Sequence, residues 1–271
     1  MNLKTLKKDG TLPLVSYHNH SNWSDGLDSL EDMILGARER GLAEYGLSDH
    51  WVERPDGSIE EWSMPMDALD AYVDTCLKLK ETYSTEDFRI LLSLEVEYYT
   101  ENAEEVMAKL KTYPFDYLIG AVHSVGDFPV DTSAEDWKIF TTQDEIDAIF
   151  HGYWKKELSL CRSGLYDLIA HLDLPKKFGY SASYDTTAEW TACLEAIAAS
   201  GCAMELNTAG WDKDCADGYP SAPVLRRARE LGLPLVLSSD SHEVRHIARH
   251  YEKGAAALGA MLVPPLKTVR H

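Results

Sequence analysis

The chain has 271 residues, enough to bury the core of one large α/β unit, and its 45 acidic against 26 basic residues give a formal charge of −19. So acidic a chain is a poor nonspecific ligand for nucleic acid or an anionic membrane, and no stretch approaches the ~20 apolar residues of a spanning helix. Five scattered cysteines (Cys76, Cys161, Cys193, Cys202, Cys215), with no Cys-x-x-Cys pair, exclude a disulfide framework and a zinc ribbon.

The start, Met1-Asn2-Leu3-Lys4, lacks the apolar core of a signal peptide, so a cytoplasmic protein is expected. Beyond it, short runs rich in branched and aromatic residues alternate with segments of helical period, the pattern of an α/β fold with parallel strands. A strand is expected at 14–20, then a helix at 30–40 capped by Asp28 or Ser29 and closed by Gly41. A strand at 44–48 leads into a polar, aromatic-containing loop at 51–65, followed by a helix at 66–83 and strands at 89–98 and 117–122. A second long loop occupies 126–141. Both loops are expected over a barrel mouth, where such excursions serve binding. Thr142-x-x-Glu145 and Thr186-x-x-Glu189 have the spacing of capping boxes for helices running to Ser163 and Ser200, separated by a strand at 168–171. Gly201 ends the second helix and a strand follows at 203–207. Ser221 caps a helix with Pro223 in its first turn and Gly232 beyond its end, before a last strand at 235–239. No linker or repeat divides residues 1–271, so a single domain is expected.

Chemistry concentrates where these strands end. Tyr17-His18-Asn19-His20 is a His-x-His pair, and on an extended strand alternate residues share a face. Ser24-Asp25-Gly26 follows, the second strand ends Ser48-Asp49-His50, and the third carries Glu95 and Glu97 inside an apolar run. Later strands end in His123, His171 and Asp240-Ser241-His242. The C-terminal ends of parallel barrel strands open on one rim, so these groups gather in one pocket. Buried titratable groups in such number are costly unless coordinated, and imidazole with carboxylate and no thiolate suits zinc, manganese or iron.

In this order the motifs resemble those of the polymerase and histidinol phosphatase (PHP) superfamily, from His18 to about Glu252, and among its members the histidinol-phosphate phosphatases of histidine biosynthesis. Gly41-Leu42-Ala43-Glu44-Tyr45-Gly46, Leu94 to Tyr99, Asp116 to Gly120, His171 to Phe178 and Glu205 to Gly210 carry the closer likeness. The resemblance implies a distorted (β/α)7 barrel with three divalent ions. It implies His18, His20, Glu95 and Asp240 on the first, Glu95 with His123 and His171 on the second, and Asp25, His50 and His242 on the third. Asp25, His50, Glu95 and His242 form the implied catalytic set. Ser241 stands where alanine is expected, which removes no ligand.

Adjacent divalent ions lower the pKa of water, so in-line hydrolysis of a phosphomonoester such as histidinol phosphate is the expected reaction. Ser24, Ser48 and Ser241 read as supports for neighbouring ligands, not nucleophiles. Lys176, Lys177, Lys213 and Arg245 are the candidate phosphate cations, just beyond strand ends. Glu97, Asp173, Tyr99 and Trp51 are candidates for the amino-alcohol end, and Asp49 for orienting a histidine. His151, His246, His250 and His271 fall outside the motifs and read as surface residues. Rival readings are a PHP phosphoesterase acting on nucleotides, which the acidic charge disfavours, a noncatalytic barrel module, which would have lost ligands, and an amide hydrolase, which would use a lysine motif absent here.

Overall fold

Short strands of two to five residues alternate with helices in the computed structural model, which describes residues 14–258. Met1 to Lys4 and His271 lie outside the described residues. In chain order the elements are β1 (Val15–Ser16), α1 (Leu30–Glu39), β2 (Glu44–Leu47), β3 (His50–Trp51), α2 (Leu69–Tyr83), β4 (Arg89–Leu92) and β5 (Glu95–Glu97). There follow α3 (Ala103–Leu110), β6 (Ile119–Ala121), a β7 (Ser124–Val125) to β8 (Phe128–Pro129) hairpin, α4 (Ala134–Trp137), α5 (Gln143–Ser163) and β9 (Leu168–Ile169). The remainder is α6 (Thr187–Ser200), β10 (Ala203–Asn207), α7 (Ala222–Glu230), β11 (Leu235–Ser238) and α8 (Tyr251–Leu258).

Among the described residues the named strands outside the hairpin pair in parallel, in the orders β1-β2-β4 and β11-β10-β9-β6-β5-β3, and one antiparallel bridge joins Asn207 to Tyr219. β2 with β3, and β4 with β5, are the two halves of single barrel strands broken at Ser48-Asp49 and Ser93-Leu94, where the Glu95 amide is shared by the Ser48 and Asp49 carbonyls. Seven strand positions result, and the ring closes between its first and last members. A parallel bridge joins Asn19 to Ser241, the His20 amide donates to the Ser241 carbonyl (2.8 Å), and the Tyr251 hydroxyl donates to the carbonyls of Val15 and Leu237. The fold is a distorted (β/α)7 barrel.

Two apolar clusters hold it. The smaller, with Tyr17, Leu91, Tyr117, Ile119, Leu168 and Val236, lies wholly on or beside strands and fills the barrel; the larger packs the helices around it. Gly46 faces the inner layer, and a Cβ there would collide with the Tyr117 hydroxyl, which itself donates to the Tyr17 carbonyl.

Several expectations need correction. The 14–20 strand has ladder pairing only at Val15–Ser16, because side chains take over the backbone groups that follow. Trp51 belongs to β3, and the 126–141 segment contains the hairpin and α4, whose Ser133 and Asp136 form a capping box. Thr142 and Glu145 cap α5 as expected, whereas the Thr186 side chain makes no cap bond and Glu189 is engaged by His151 and Tyr184. The α3 helix was unforeseen, although its buried Ala103, Val106, Met107 and Leu110 carry the i, i+3, i+4, i+7 spacing.

Candidate metal centre

Local hydrogen bonding explains how the first motif presents its rings. Between His18 and His20, the Asn19 amide donates to Ser48 Oγ (2.9 Å), and its side chain donates to the carbonyls of Ser16 and Gly46. Asn19 is thus stitched to β1 and β2, and both flanking imidazoles are buried with ring centroids 5.0 Å apart. Asp49 orients no histidine. Its carboxylate accepts from the Ser21 amide (2.8 Å), Ser21 Oγ and Ser24 Oγ (2.7 Å), which fixes the turn that carries Asp25. Gly26 closes that turn because a Cβ would lie 2.7 Å from the Ser21 backbone. Ser48 supports Asn19 and Ser241 bonds Ser239, so each bonds beside a candidate ligand.

Glu95, fully buried on β5, is the hub. Its Oε2 lies 3.1 Å from His18 Nε2, 3.5 Å from His20 Nε2 and 2.7 Å from His50 Nδ1, while Oε1 lies 2.8 Å from His171 Nε2 and 3.4 Å from His123 Nε2. Asp240, at the end of β11 in the left-handed region (φ 46°), places Oδ1 3.3 Å from His20 Nε2 and 3.8 Å from His18 Nε2. Toward the opening, Asp25 lies 3.2 Å from His242 Nε2 and 3.6 Å from His50 Nε2. Ligand atoms lie within 4.8 Å of one another in four groups: His18, His20 and Asp240; His18, Glu95 and His171; His50, Glu95 and His123; and Asp25, His20, His50 and His242. All nine residues singled out from the sequence therefore converge on one site.

The donor set fits divalent cations. His18 Nε2, His20 Nε2, His50 Nδ1 and Glu95 Oε2 are buried and make no hydrogen bond despite their proximity, the condition of donor atoms arranged for a cation. Titration follows the same logic. Burial depresses the His18 imidazolium, yet Glu95, Glu205 and Asp240 hold its pKa well above normal, and burial of His123 is likewise outweighed by Glu95 and Glu97. His20, buried beside His50 and His242, is pushed down to about 3. Burial works to raise Glu95 and Asp240, but the surrounding imidazoles, His18 foremost, hold both carboxyls well below normal.

Two acids brace the rings from behind. Glu205, completely buried on β10, lies 3.1 Å from His18 Nδ1 through both oxygens and accepts from the His171 amide and from Asn207, which also donates to Asp240. Glu97 accepts from the His123 amide and lies 2.7 Å from His123 Nδ1, its other oxygen taking Lys156 Nζ at 2.7 Å. Glu97 is therefore committed to His123 and not to a substrate ammonium. Asp173 is tied to Lys176 and the Ser221 amide, Trp51 is fully buried, and Tyr99 packs on Lys156, so none of these faces the opening.

The site opens into a cavity of about 260 Å³ whose lining also includes Lys177, Lys213 and Arg249. Lys177 Nζ is held by the Asp131 carboxylate (3.0 Å) and carbonyl, and Arg249 by the carbonyls of Ser239 and Asp240. Burial and the adjacent Lys177 and Arg249 lower the Lys213 pKa. Lys176 lies outside, its ammonium consumed by Asp173, Asp217 and the Gly218 carbonyl, and Arg245 points outward to Glu243 with its side chain 76% exposed. Sequence reasoning missed Glu205, Trp62, Asp131 and Arg249. Only Glu205 gave a signal, an acid within an apolar strand like Glu95. His151, His246 and His250 lie away from the cavity and pair with Glu189, Glu243 and Asp212.

A family model described as PHP domain matches residues 16–209. A protein of Deinococcus radiodurans named "Probable histidinol-phosphatase" is 30% identical over 212 residues, 76% of this chain and 77% of that one. The histidinol-phosphatase of Bacillus subtilis is 26% identical over 91% of this chain and 97% of its own. Among solved structures, histidinol phosphate phosphatase from Lactococcus lactis, complexed with zinc, L-histidinol and phosphate, superposes with a TM-score of 0.77 at 22% identity, covering 95% and 97% of the two chains.

Proposed function

The chain belongs to the PHP domain family, and from that premise we propose that it is a metal-dependent phosphomonoesterase releasing phosphate from L-histidinol phosphate. One observation carries the reading: nine imidazole and carboxylate side chains converge, and seven of them line a small cavity together with three cations. An acidic chain needs those cations to admit a phosphate dianion. Zinc, as in the Lactococcus lactis complex, is the expected metal; three ions are the expected number, with the groups His18–His20–Asp240 and Asp25–His20–His50–His242 supporting two of the sites and Glu95, shared between His18–His171 and His50–His123, supporting the bridging position. Bound there, divalent ions supply an acidified water and Lewis-acid stabilisation of charge on phosphorus.

The chain's own groups do the rest. Lys213 and the Asp131-anchored Lys177 bind non-bridging phosphate oxygens, and Arg249, fixed by two carbonyls just past the end of β11, adds a rigid donor. These contacts hold the ester in line while Glu205 and Glu97 keep His18 and His123 from turning. Lys176 and Arg245 take no part.

Purified protein loaded with zinc or manganese is expected to release phosphate from L-histidinol phosphate faster than from a nucleoside 3′,5′-bisphosphate, and a chelator is expected to abolish both rates. Faster turnover of the nucleotide, or metallated protein inert toward every phosphomonoester, overturns the proposal.

A further inference from the structure

Trp62 is the one cavity-lining ring outside the candidate ligands that is only partly buried; Tyr219, the other aromatic on the wall, is 2% exposed and lies against Lys176. The indole meets His50 and His123 edge to face, with centroids 4.7 and 5.3 Å away, so it stands at the border between the metal centre and the opening. Its orientation is fixed by a chain of charged groups. Trp62 Nε1 donates to Glu60 Oε2 (3.1 Å), and Arg54 donates to Glu60 Oε1 (2.8 Å) and to Asp127 (2.6 Å) in the turn of the β7–β8 hairpin. Arg54 thereby joins the loop that bears Trp62 to the hairpin that leads to Asp131 and Lys177.

Resting on the histidinol phosphatase reading, we infer that Trp62, set by the Arg54–Glu60–Asp127 clamp, is a specificity residue whose indole packs against the flat ring of the leaving alcohol. The three cations then serve the phosphate and Trp62 the organic end, so the enzyme favours phosphomonoesters whose alcohol carries an aromatic or imidazole ring over equally charged esters that lack one. Packing of two flat rings needs a fixed partner, and the clamp supplies it without the indole spending conformational freedom on binding.

The test compares kcat/KM of the metal-loaded enzyme for L-histidinol phosphate and for O-phosphoethanolamine, which keeps the phosphate and ammonium but has no ring. Trp62→Ala is expected to lower the ratio of the two by about tenfold, through KM for the ring-bearing ester, and Trp62→Phe to restore most of it. Arg54→Ala is expected to lower the ratio in the same direction and to add nothing in the Trp62→Ala background, as coupled residues do. Equal losses on both esters would mean that Trp62 only supports His50 and His123, and an unchanged ratio would mean that it touches no substrate; either result overturns the inference. Full additivity of the two variants overturns the clamp. A wild-type enzyme with no preference for the imidazole ester defeats the functional reading itself, whereas a preference that survives Trp62→Ala defeats only this inference.

Discussion

His18 is gripped on both sides of its ring, by Glu95 and Asp240 at Nε2 and by Glu205 at Nδ1. A carboxylate behind a ligating imidazole fixes which nitrogen carries the proton and raises the basicity of the other, and losing it costs about 10- to 100-fold in metal affinity or activity. Glu205→Gln keeps the volume of the side chain and removes a fully buried charge. The expected outcome is a loss in that range, read by metal content after dialysis and by turnover, with no fall in the unfolding midpoint of the metal-free protein. Unaltered stoichiometry and rate would show that Glu205 serves only packing. Glu205 was as visible in the sequence as Glu95, an acid inside an apolar strand. Trp62, Asp131 and Arg249 were not, because they sit in irregular segments where no periodicity says which way a side chain points.

Helix ends show how far local pattern reaches. Thr142 and Glu145 exchange both bonds of the box, and the long α5 helix starts there in extended backbone. The same four-residue signature at Thr186 yields no side-chain bond, since Thr186 adopts φ −80°, ψ 2° and Glu189 turns to His151 and Tyr184. Thr142→Ala is accordingly expected to cost about 1 kcal/mol of stability and Thr186→Ala less than about 0.5 kcal/mol, measured by chemical denaturation. Equal effects would contradict the geometry. Strand continuity exceeds what local pattern can tell: the run at 89–98 reads as unbroken, but its ladder lapses at Ser93-Leu94, where the Glu95 amide is shared by the Ser48 and Asp49 carbonyls while the register on either side is kept. Such breaks depend on neighbours distant in sequence. Most of the ligands were legible because they follow strand ends, a position that hydrophobic pattern locates well, while Glu95 showed as an acid inside an apolar run and Asp25 as a carboxylate beside a turn glycine.

At the scale of the whole molecule, a buried acid on α5 lies outside the site. Glu157 on α5 is 1% exposed, and burial lifts its carboxyl to about 8 against a Tyr153 hydrogen bond that works the other way. With an unfolded-chain value near 4.5, native protein between that pH and about 8 retains a proton that the unfolded chain has released. The associated stability is full below about 4.5 and drains away as pH rises to about 8. Glu157→Gln removes that slope. Between pH 6 and 8 the variant is expected to gain on wild type by roughly 2–3 kcal/mol in unfolding free energy, since each unit of pH contributes about 1.4 kcal/mol while only the native state is protonated. A difference that stays constant across this range would show that Glu157 is ionised in the native protein.

Barrel closure, finally, links metal binding to stability. The seam between β1 and β11 rests on the Asn19–Ser241 bridge and the hydroxyl of Tyr251, and the groups flanking that seam are His18 and His20 on one side and Asp240 and His242 on the other. An ion gripped by both sides would rivet the first barrel strand to the seventh, so metal loading is expected to stabilise the folded barrel against opening at this seam.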